Sequence, residues 1–318
     1  MSTTSTKPEI LLASPLPPRV TEGLEGDFIL HDYYNAEDRS AMLADVAERV
    51  RAFVTFASAG GADAALIEAA PNLELIANWG VGYDRVDMEA ARKRNVIVTN
   101  TPDVLTECCA DLAMALVLAV GRRVAEGDRY VRAGDWPRHG NLRLGTRVNG
   151  ARLGIVGLGR IGKAGAKRAE AFGMDISYFG RTEQKDVPYR YYPDPVSLAA
   201  DVDYLLLTCP GGPATHHLVD KAVLDAMPPH SFLINIARGS VVDEKALVEA
   251  LKGDSIAGAA LDVFENEPNV PQELFEMENV VLQPHQSSAS HETRREMHDL
   301  VVENVRLHFA GKPVRTPV

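Results

Sequence analysis

Cysteine is scarce: Cys108, Cys109 and Cys209 are the three in 318 residues. So few thiols cannot build a disulfide framework and point to a reducing compartment. Two are adjacent in an apolar helical stretch, which suits small core residues rather than a metal or redox pair, and no metal is expected. Long apolar runs are also lacking. The longest, Leu112 to Val120, is about half of what a membrane helix needs. Met1 to Glu9 carries no apolar signal region. Positive charge is outnumbered, 33 Lys and Arg against 44 Asp and Glu, giving a net charge of −11. That balance argues against nucleic-acid and anionic-membrane partners, and a cytoplasmic location is expected. What the chain does have is length for two domains and an apolar content of 46%, which suits a globular protein with a large core.

Read in order, the first hundred residues alternate strand and helix signals. After a tail expected to be disordered, Glu9–Ala13 reads as a buried strand, 36–50 as a helix, and Arg51–Phe56 as a strand. Asp63–Ala70 is a helix stopped by Pro71, Leu73–Asn78 a third strand, Asp87–Arg94 a helix, and Val96–Asn100 a fourth strand. The Gly-containing loop Trp79-Gly80-Val81-Gly82 follows a strand's carboxyl end, where open α/β sheets place ligands. Thr101-Pro102 reads as a domain crossing, followed by a long apolar helix from about Val104 to Gly121. Residues 122–150 are basic and read as irregular; Trp136 within them suits either a subunit contact or packing in its own domain.

A second alternating run begins at Arg152. Its expected strands are 152–156, 175–179, 204–208, 231–236, 258–262 and 280–283, with helices at 163–172, 220–226 and 243–252. His291–Phe309 is one amphipathic helix, assigned back to the first domain. The expected division is therefore 1–101 with 286–318, and 102–285. The fold class is α/β, with two doubly wound domains.

The most informative stretch joins strand 152–156 to the next helix: Gly157-Leu158-Gly159-Arg160-Ile161-Gly162. The spacing G-x-G-x-x-G between a strand and a helix is the dinucleotide fingerprint. Gly157 permits the sharp turn, Gly159 lets backbone approach a pyrophosphate, and Gly162 lets the helix pack close to the sheet. The helix N-terminus then offers N–H groups and a favourable dipole to phosphate. The next strand ends in Gly180-Arg181-Thr182-Glu183-Gln184-Lys185, without the acid that would bind a ribose 2′-OH. Arg181, Thr182 and Lys185 suit a 2′-phosphate, so NADP(H) is favoured. Arg181 stacking on adenine with NAD(H) bound is the other reading, and Glu183 keeps it open.

Three later strand ends carry polar side chains. Arg238 follows Asn235-Ile236-Ala237, Glu267 lies in Asp262-Val263-Phe264-Glu265-Asn266-Glu267, and His285 follows Gln283-Pro284. Arg, Glu and His at neighbouring strand ends form an acid–base set. His216, His217, His230, His291 and His308, in loops or helices, read as surface residues.

These runs, in this order, resemble the D-isomer-specific 2-hydroxyacid dehydrogenase family. The resemblance covers nearly the whole chain and extends to Asn100-Thr101-Pro102-Asp103, to Leu105-Thr106 and to Gly311-Lys312-Pro313-Val314. It implies a Rossmann dinucleotide-binding domain and a flavodoxin-like substrate domain. Arg181-Thr182 is similar to the NADPH-preferring glyoxylate/hydroxypyruvate reductases and to the hydroxyphenylpyruvate reductases. The implied cofactor residues are Thr106, Gly157–Gly162, Gly180, Arg181, Thr182, Lys185, Cys209, Pro210, Thr215, Ile236, Ala237, Asp262 and Ser287. Trp79 and Gln286-Ser287 depart from the family pattern, and both are expected on the substrate side. Trp79 there either narrows the pocket or stacks on an aromatic ring.

The implied reaction reduces a 2-oxo acid to the D-2-hydroxy acid. His285 delivers a proton to the carbonyl oxygen, Glu267 accepts the imidazole's other N–H, and Arg238 binds the carboxylate. Backbone N–H groups of Val81 and Gly82 complete the carboxylate site, so substrate is expected to bridge two domains that close on it. Glyoxylate or hydroxypyruvate is the leading substrate, with an arylpyruvate or 2-ketogluconate as alternatives. A dinucleotide-sensing corepressor scaffold, also within the family, is the non-enzymatic alternative. A homodimer is implied by the family.

Overall fold

A computed structural model describes residues 7–56 and 60–318. The expected disordered tail lies largely outside these residues. The chain divides into two compact units, 1–105 with 290–318 and 106–289. Both divides fall slightly later along the chain than the sequence reading puts them.

In the first unit the elements are β1 (Glu9–Leu12), α1 (Pro18–Glu25), β2 (Ile29–His31), α2 (Arg39–Val46), β3 (Val50–Thr55), α3 (Ala64–Ala69), β4 (Leu75–Asn78), α4 (Met88–Lys93) and β5 (Ile97–Thr99). All strand pairings are parallel, in the order β2-β1-β3-β4-β5. That is the flavodoxin-like order. Helices cover both faces of such a sheet, so its central strands carry apolar residues at successive positions. Ala52 to Val54 and Leu75 to Ala77 are fully buried. The helices begin where an aspartate captures a backbone N–H: Asp38 from Ala41, Asp63 from Leu66 and Asp87 from Ala90. Asp38 is why α2 starts at 39 and not at 36. Strand β2 and helix α1 escape the sequence reading. A three-residue edge strand is too short to show a period, and Pro17-Pro18 disguises a helix whose first turn tolerates proline.

The second unit opens with α5 (Thr106–Gly121), α6 (Val124–Arg132) and α7 (Asp135–His139). The last two correct the irregular reading of 122–150. Few of their positions are apolar, and local ion pairs support them instead. Arg132 meets Asp128, Arg138 meets Asp135, and the buried Glu126 takes both Arg123 and Arg143. Cys109 is buried on α5, whereas Cys108 is half-exposed.

Then follow β6 (Arg152–Val156), α8 (Arg160–Ala171), β7 (Asp175–Phe179), β8 (Arg190–Tyr192), α9 (Pro195–Ala199), β9 (Tyr204–Leu207), α10 (Lys221–Ala226), β10 (Phe232–Asn235), α11 (Glu244–Lys252), β11 (Gly258–Leu261) and β12 (Val280–Leu282). The seven parallel strands run β12-β11-β10-β9-β6-β7-β8. This is the Rossmann order, with the direction of winding reversing between β6 and β9. Edge strand β8 and helix α9, three and five residues long, were too short to be expected.

Helix α12 (His291–Phe309) belongs to the first unit, capped by Ser290. Buried Asn304 on it holds the last residues, donating to Thr316 and accepting from the Arg315 N–H. Two histidines differ from expectation or were unassigned: His308 is half-buried against Glu74, and His298 is buried. Among the described residues no helix is long and apolar enough to cross a membrane.

One partly exposed charge network pins the amino-terminal ends of the central strands. Asp203, just before β9, accepts from the Arg152 backbone and guanidinium and from His230. Burial pushes its carboxyl up, but these donors outweigh that and bring it down to about 2. A depressed carboxylate stabilises the fold above its unfolded value of about 3.9, and that contribution fades as pH falls toward 2. Asp203→Asn is expected to cost about 1 kcal/mol at pH 7 in urea unfolding, since solvent screens a partly exposed network. The gap from wild type should close between pH 4 and pH 2.

Candidate functional site

The three fingerprint glycines occupy distinct environments. Gly157 has φ +96°, and a Cβ on it would lie 2.7 Å from the Cys209 backbone. A Cβ on Gly162 would lie 2.5 Å from the Gly157 carbonyl oxygen, so α8 packs against the turn itself. A Cβ on Gly159 would meet nothing within 4 Å. The turn and the close packing thus fix the first and third positions. The second, capping α8, faces open space at a helix N-terminus, as a pyrophosphate requires. This turn lies at the carboxyl end of β6, beside β9, where the winding reverses.

At the end of β7, Arg181, Thr182 and Lys185 are exposed. Among the described residues, no hydrogen bond or ion pair engages their side chains. The surrounding loop is nonetheless held. The Gln184 backbone N–H donates to the Tyr178 hydroxyl oxygen, and its Nε2 donates to the Leu158 carbonyl. Asp186 pairs with Lys163 at 2.9 Å. A dinucleotide bearing a 2′-phosphate fits this combination of open glycine, helix N-terminus and uncommitted cations. The other expected cofactor residues divide in two. Thr106, Arg160, Ile161, Gly180, Pro210 and Thr215 keep surface, whereas Leu158, Cys209, Ile236, Ala237 and Ser287 are buried. Burial also pushes the Cys209 thiol up to about 11, which suits a packing role.

The acid–base residues come together in the same unit. His285 follows β12, and its Nδ1–H donates to Glu267 Oε2 at 2.8 Å. Its Nε2 has no hydrogen-bond partner among the described residues. The other Glu267 oxygen takes the Phe264 N–H. Side-chain exposures of 25% and 22% leave the pair reachable by a small molecule. Burial would raise the Glu267 carboxyl, but the bond to His285, the Phe264 N–H and the charge of Arg238 hold it below the usual range.

His285 itself has a left-handed backbone, φ +55°, a costly conformation that surrounding bonds must maintain. Asp262 does this. Its backbone carbonyl takes the His285 N–H, and its carboxylate takes the N–H groups of Gln286 and Ser287 at 2.6 and 2.9 Å. Asp262 is fully buried, and burial pushes its carboxyl up. The expectation of a cofactor ligand gives way here to an anchor of the histidine turn: no surface of Asp262 remains to offer a ligand.

Arg238 follows β10 and is positioned by Asn235, a residue whose role sequence reasoning missed. Asn235 Oδ1 accepts the Ala237 N–H and its Nδ2 donates to the Arg238 carbonyl. Gly239 permits the close approach of the neighbouring loop, since a Cβ there would fall 1.8 Å from the Phe264 carbonyl carbon.

In the first unit, the loop after β4 uses the same device. Buried Asn78 donates to the carbonyls of Gly80 and Gly82, and Asn100 donates to that of Val81. With all three carbonyls committed, the N–H groups of Val81 and Gly82 have no acceptor among the described residues. A buried asparagine at a strand end was the available signal for both positioning residues. Trp79 departs from expectation. It is buried, packed on Phe56 and His298 with the Arg294 guanidinium 4.9 Å from its ring, so it forms core within its own unit. The strand's last residues have a covered face, and a large ring is what fills it.

A parallel sheet in Rossmann order, a three-glycine turn and an Arg–Glu–His set at its strand ends define a dinucleotide-dependent dehydrogenase. The chain belongs to the D-isomer specific 2-hydroxyacid dehydrogenase family. The family's NAD binding domain matches residues 114–287. The chain is 48% identical to a glyoxylate/hydroxypyruvate reductase of Arabidopsis thaliana, over 97% of this chain and 98% of that one. It is also 48% identical to the hydroxyphenylpyruvate reductase of Plectranthus scutellarioides, over the same shares. Among solved structures it is similar to an NADPH-dependent glyoxylate/hydroxypyruvate reductase of Sinorhizobium meliloti, in complex with NADP and malonate. There the TM-score is 0.91 at 43% identity, covering 98% of this chain and 97% of the other.

The contrast between two glycines is testable. Gly157→Ala should cost about 2 kcal/mol in thermal or urea unfolding, because φ +96° and the Cys209 backbone oppose it. Gly159→Ala should leave stability unchanged yet weaken dinucleotide binding about ten-fold in a fluorescence titration, by blocking the approach of phosphate to backbone N–H groups.

Proposed function

We propose that the chain reduces a small 2-oxo acid, glyoxylate or hydroxypyruvate, to the D-2-hydroxy acid with NADPH. The observation that carries this reading is His285. Glu267 fixes its ring through Nδ1, leaving Nε2 uncommitted on a sheet that also presents Arg238. When bound, the reduced nicotinamide supplies a hydride. The chain supplies what a carbonyl needs to accept it. His285 holds a proton at Nε2 for the oxygen, whose charge builds as reduction proceeds. Glu267 fixes the imidazole, and its depressed carboxyl keeps it an anion against the ring. Arg238 offers a planar fork to a carboxylate. The N–H groups of Val81 and Gly82, without acceptors among the described residues, are suited to the same kind of anion. The Arg181, Thr182 and Lys185 group supports a 2′-phosphate, hence NADP(H) over NAD(H).

Hydroxyphenylpyruvate is the second substrate reading, supported by equal identity to a reductase of that name. The inward packing of Trp79 removes one reason for expecting a narrowed or stacking site. Segment 122–150 is read as the face of a homodimer. Trp136 is 58% exposed and Leu144 93%, large apolar surfaces that a partner copy would cover. Cysteine scarcity supports a cytoplasmic location.

Glyoxylate, hydroxypyruvate, hydroxyphenylpyruvate and 2-ketogluconate, each assayed with NADH and NADPH, test the reading. Highest kcat/KM for glyoxylate or hydroxypyruvate is expected, and no turnover of any of the four would favour a sensing scaffold. His285→Ala should lower kcat roughly a hundred- to ten-thousand-fold with dinucleotide affinity kept. Arg181→Ala should raise the KM for NADPH about ten-fold and leave that for NADH unchanged. An equal effect on both would reduce Arg181 to an adenine contact.

A further inference from the structure

The two adjacent histidines at 216 and 217, read from sequence as plain surface residues, occupy a particular place. They lie in the loop between β9 and α10, beside the loop that follows β11. His217 Nε2 is hydrogen-bonded to Glu265. The two imidazoles stack, with ring centroids 4.0 Å apart and planes 27° from parallel. One nitrogen of each ring and one Glu265 oxygen all lie within 4.8 Å of one another, and this is the one such grouping among the described residues. We propose that His216, His217 and Glu265 form a binding site for a transition-metal dication of the zinc type.

The donor set decides the class of ion. Two imidazoles and one carboxylate suit Zn²⁺, Co²⁺, Ni²⁺ or Cu²⁺, whereas Ca²⁺ and Mg²⁺ take oxygen ligands. Three protein ligands leave a further position for water. The backbone carrying the ligands is already fixed. His217 is left-handed, φ +49°, and its N–H donates to the Ser240 carbonyl. Val219 N–H donates to Val241, and the Thr215 hydroxyl donates to the Pro210 carbonyl. Glu265 is held by its N–H to the Glu244 carboxylate and by the packing of Phe264 on Gly239. Ordering two flexible loops is therefore not part of the cost of binding.

The position gives the site a consequence. Glu265 is two residues from Glu267, so an ion there ties the loop that carries the His285 partner to the loop after β9. That consequence rests on the function proposed above; metal binding itself does not.

The test is titration of the full chain with Zn²⁺ by calorimetry and with Co²⁺ by visible absorption. One ion per chain is expected, with the intense ligand-field bands of four- or five-coordinate Co²⁺. His216→Ala and Glu265→Gln should each weaken Zn²⁺ at least about ten-fold, with unfolding midpoints unchanged. Unaltered affinity in both variants, or only the weak bands of six-coordinate Co²⁺, would overturn the proposal. In a parallel assay, Zn²⁺ should slow 2-oxo acid reduction by wild type and not by His216→Ala. Binding without inhibition would leave the site standing and remove only its effect on the Glu267 loop.

Discussion

The buried carboxylate of Asp262 is the constraint on which the candidate site depends. Residue 285 must adopt a left-handed backbone for a histidine at the end of β12 to turn toward Glu267. Histidine enters that conformation more readily than most residues, but it is still uncommon outside glycine and has to be held there. Three backbone N–H groups in succession, from His285, Gln286 and Ser287, are gathered by one residue at the end of the neighbouring strand. The strand pairing of β11 with β12 sets the distance between them. Sheet register therefore becomes side-chain geometry: the pair that fixes the imidazole exists because two parallel strands end side by side.

The same economy recurs with amides. Asn235 at the end of β10 and Asn78 at the end of β4 are both buried, and each returns its side chain to the backbone of the loop it starts. An amide can donate and accept at once, so one side chain satisfies groups that a tight loop would leave unpaired. In the β10 loop the outcome is a positioned arginine. In the β4 loop it is a pair of N–H groups without acceptors among the described residues. Both are anion-receptive, one by charge and one by backbone dipoles.

Much of this was legible from the chain alone, for local reasons. The glycine spacing encodes a turn, an approach and a packing contact, each a property of a single missing Cβ. Central strands buried on both faces show as unbroken apolar runs, and helix starts show as Asp or Ser three residues before a bonded N–H. Elements that escaped share a different cause. Strands β2 and β8 are short edges without a period, and α6 and α7 are held by ion pairs rather than an apolar face. Trp79 shows the limit from another side: adjacency to a loop in sequence does not tell which way a ring turns.

The sequence by itself determined the class of fold, the cofactor turn and the family, because these rest on residues close together in the chain. It also named Arg238, Glu267 and His285, since each follows a readable strand. Only the tertiary structure decided their company. Asp262 became an anchor rather than a ligand, Asn235 a positioning residue, and His216, His217 and Glu265 neighbours. Each depends on which strands lie side by side and on which side chains the packing buries. Those are relations between distant segments, 48 residues apart for His217 and Glu265, and no local pattern carries them.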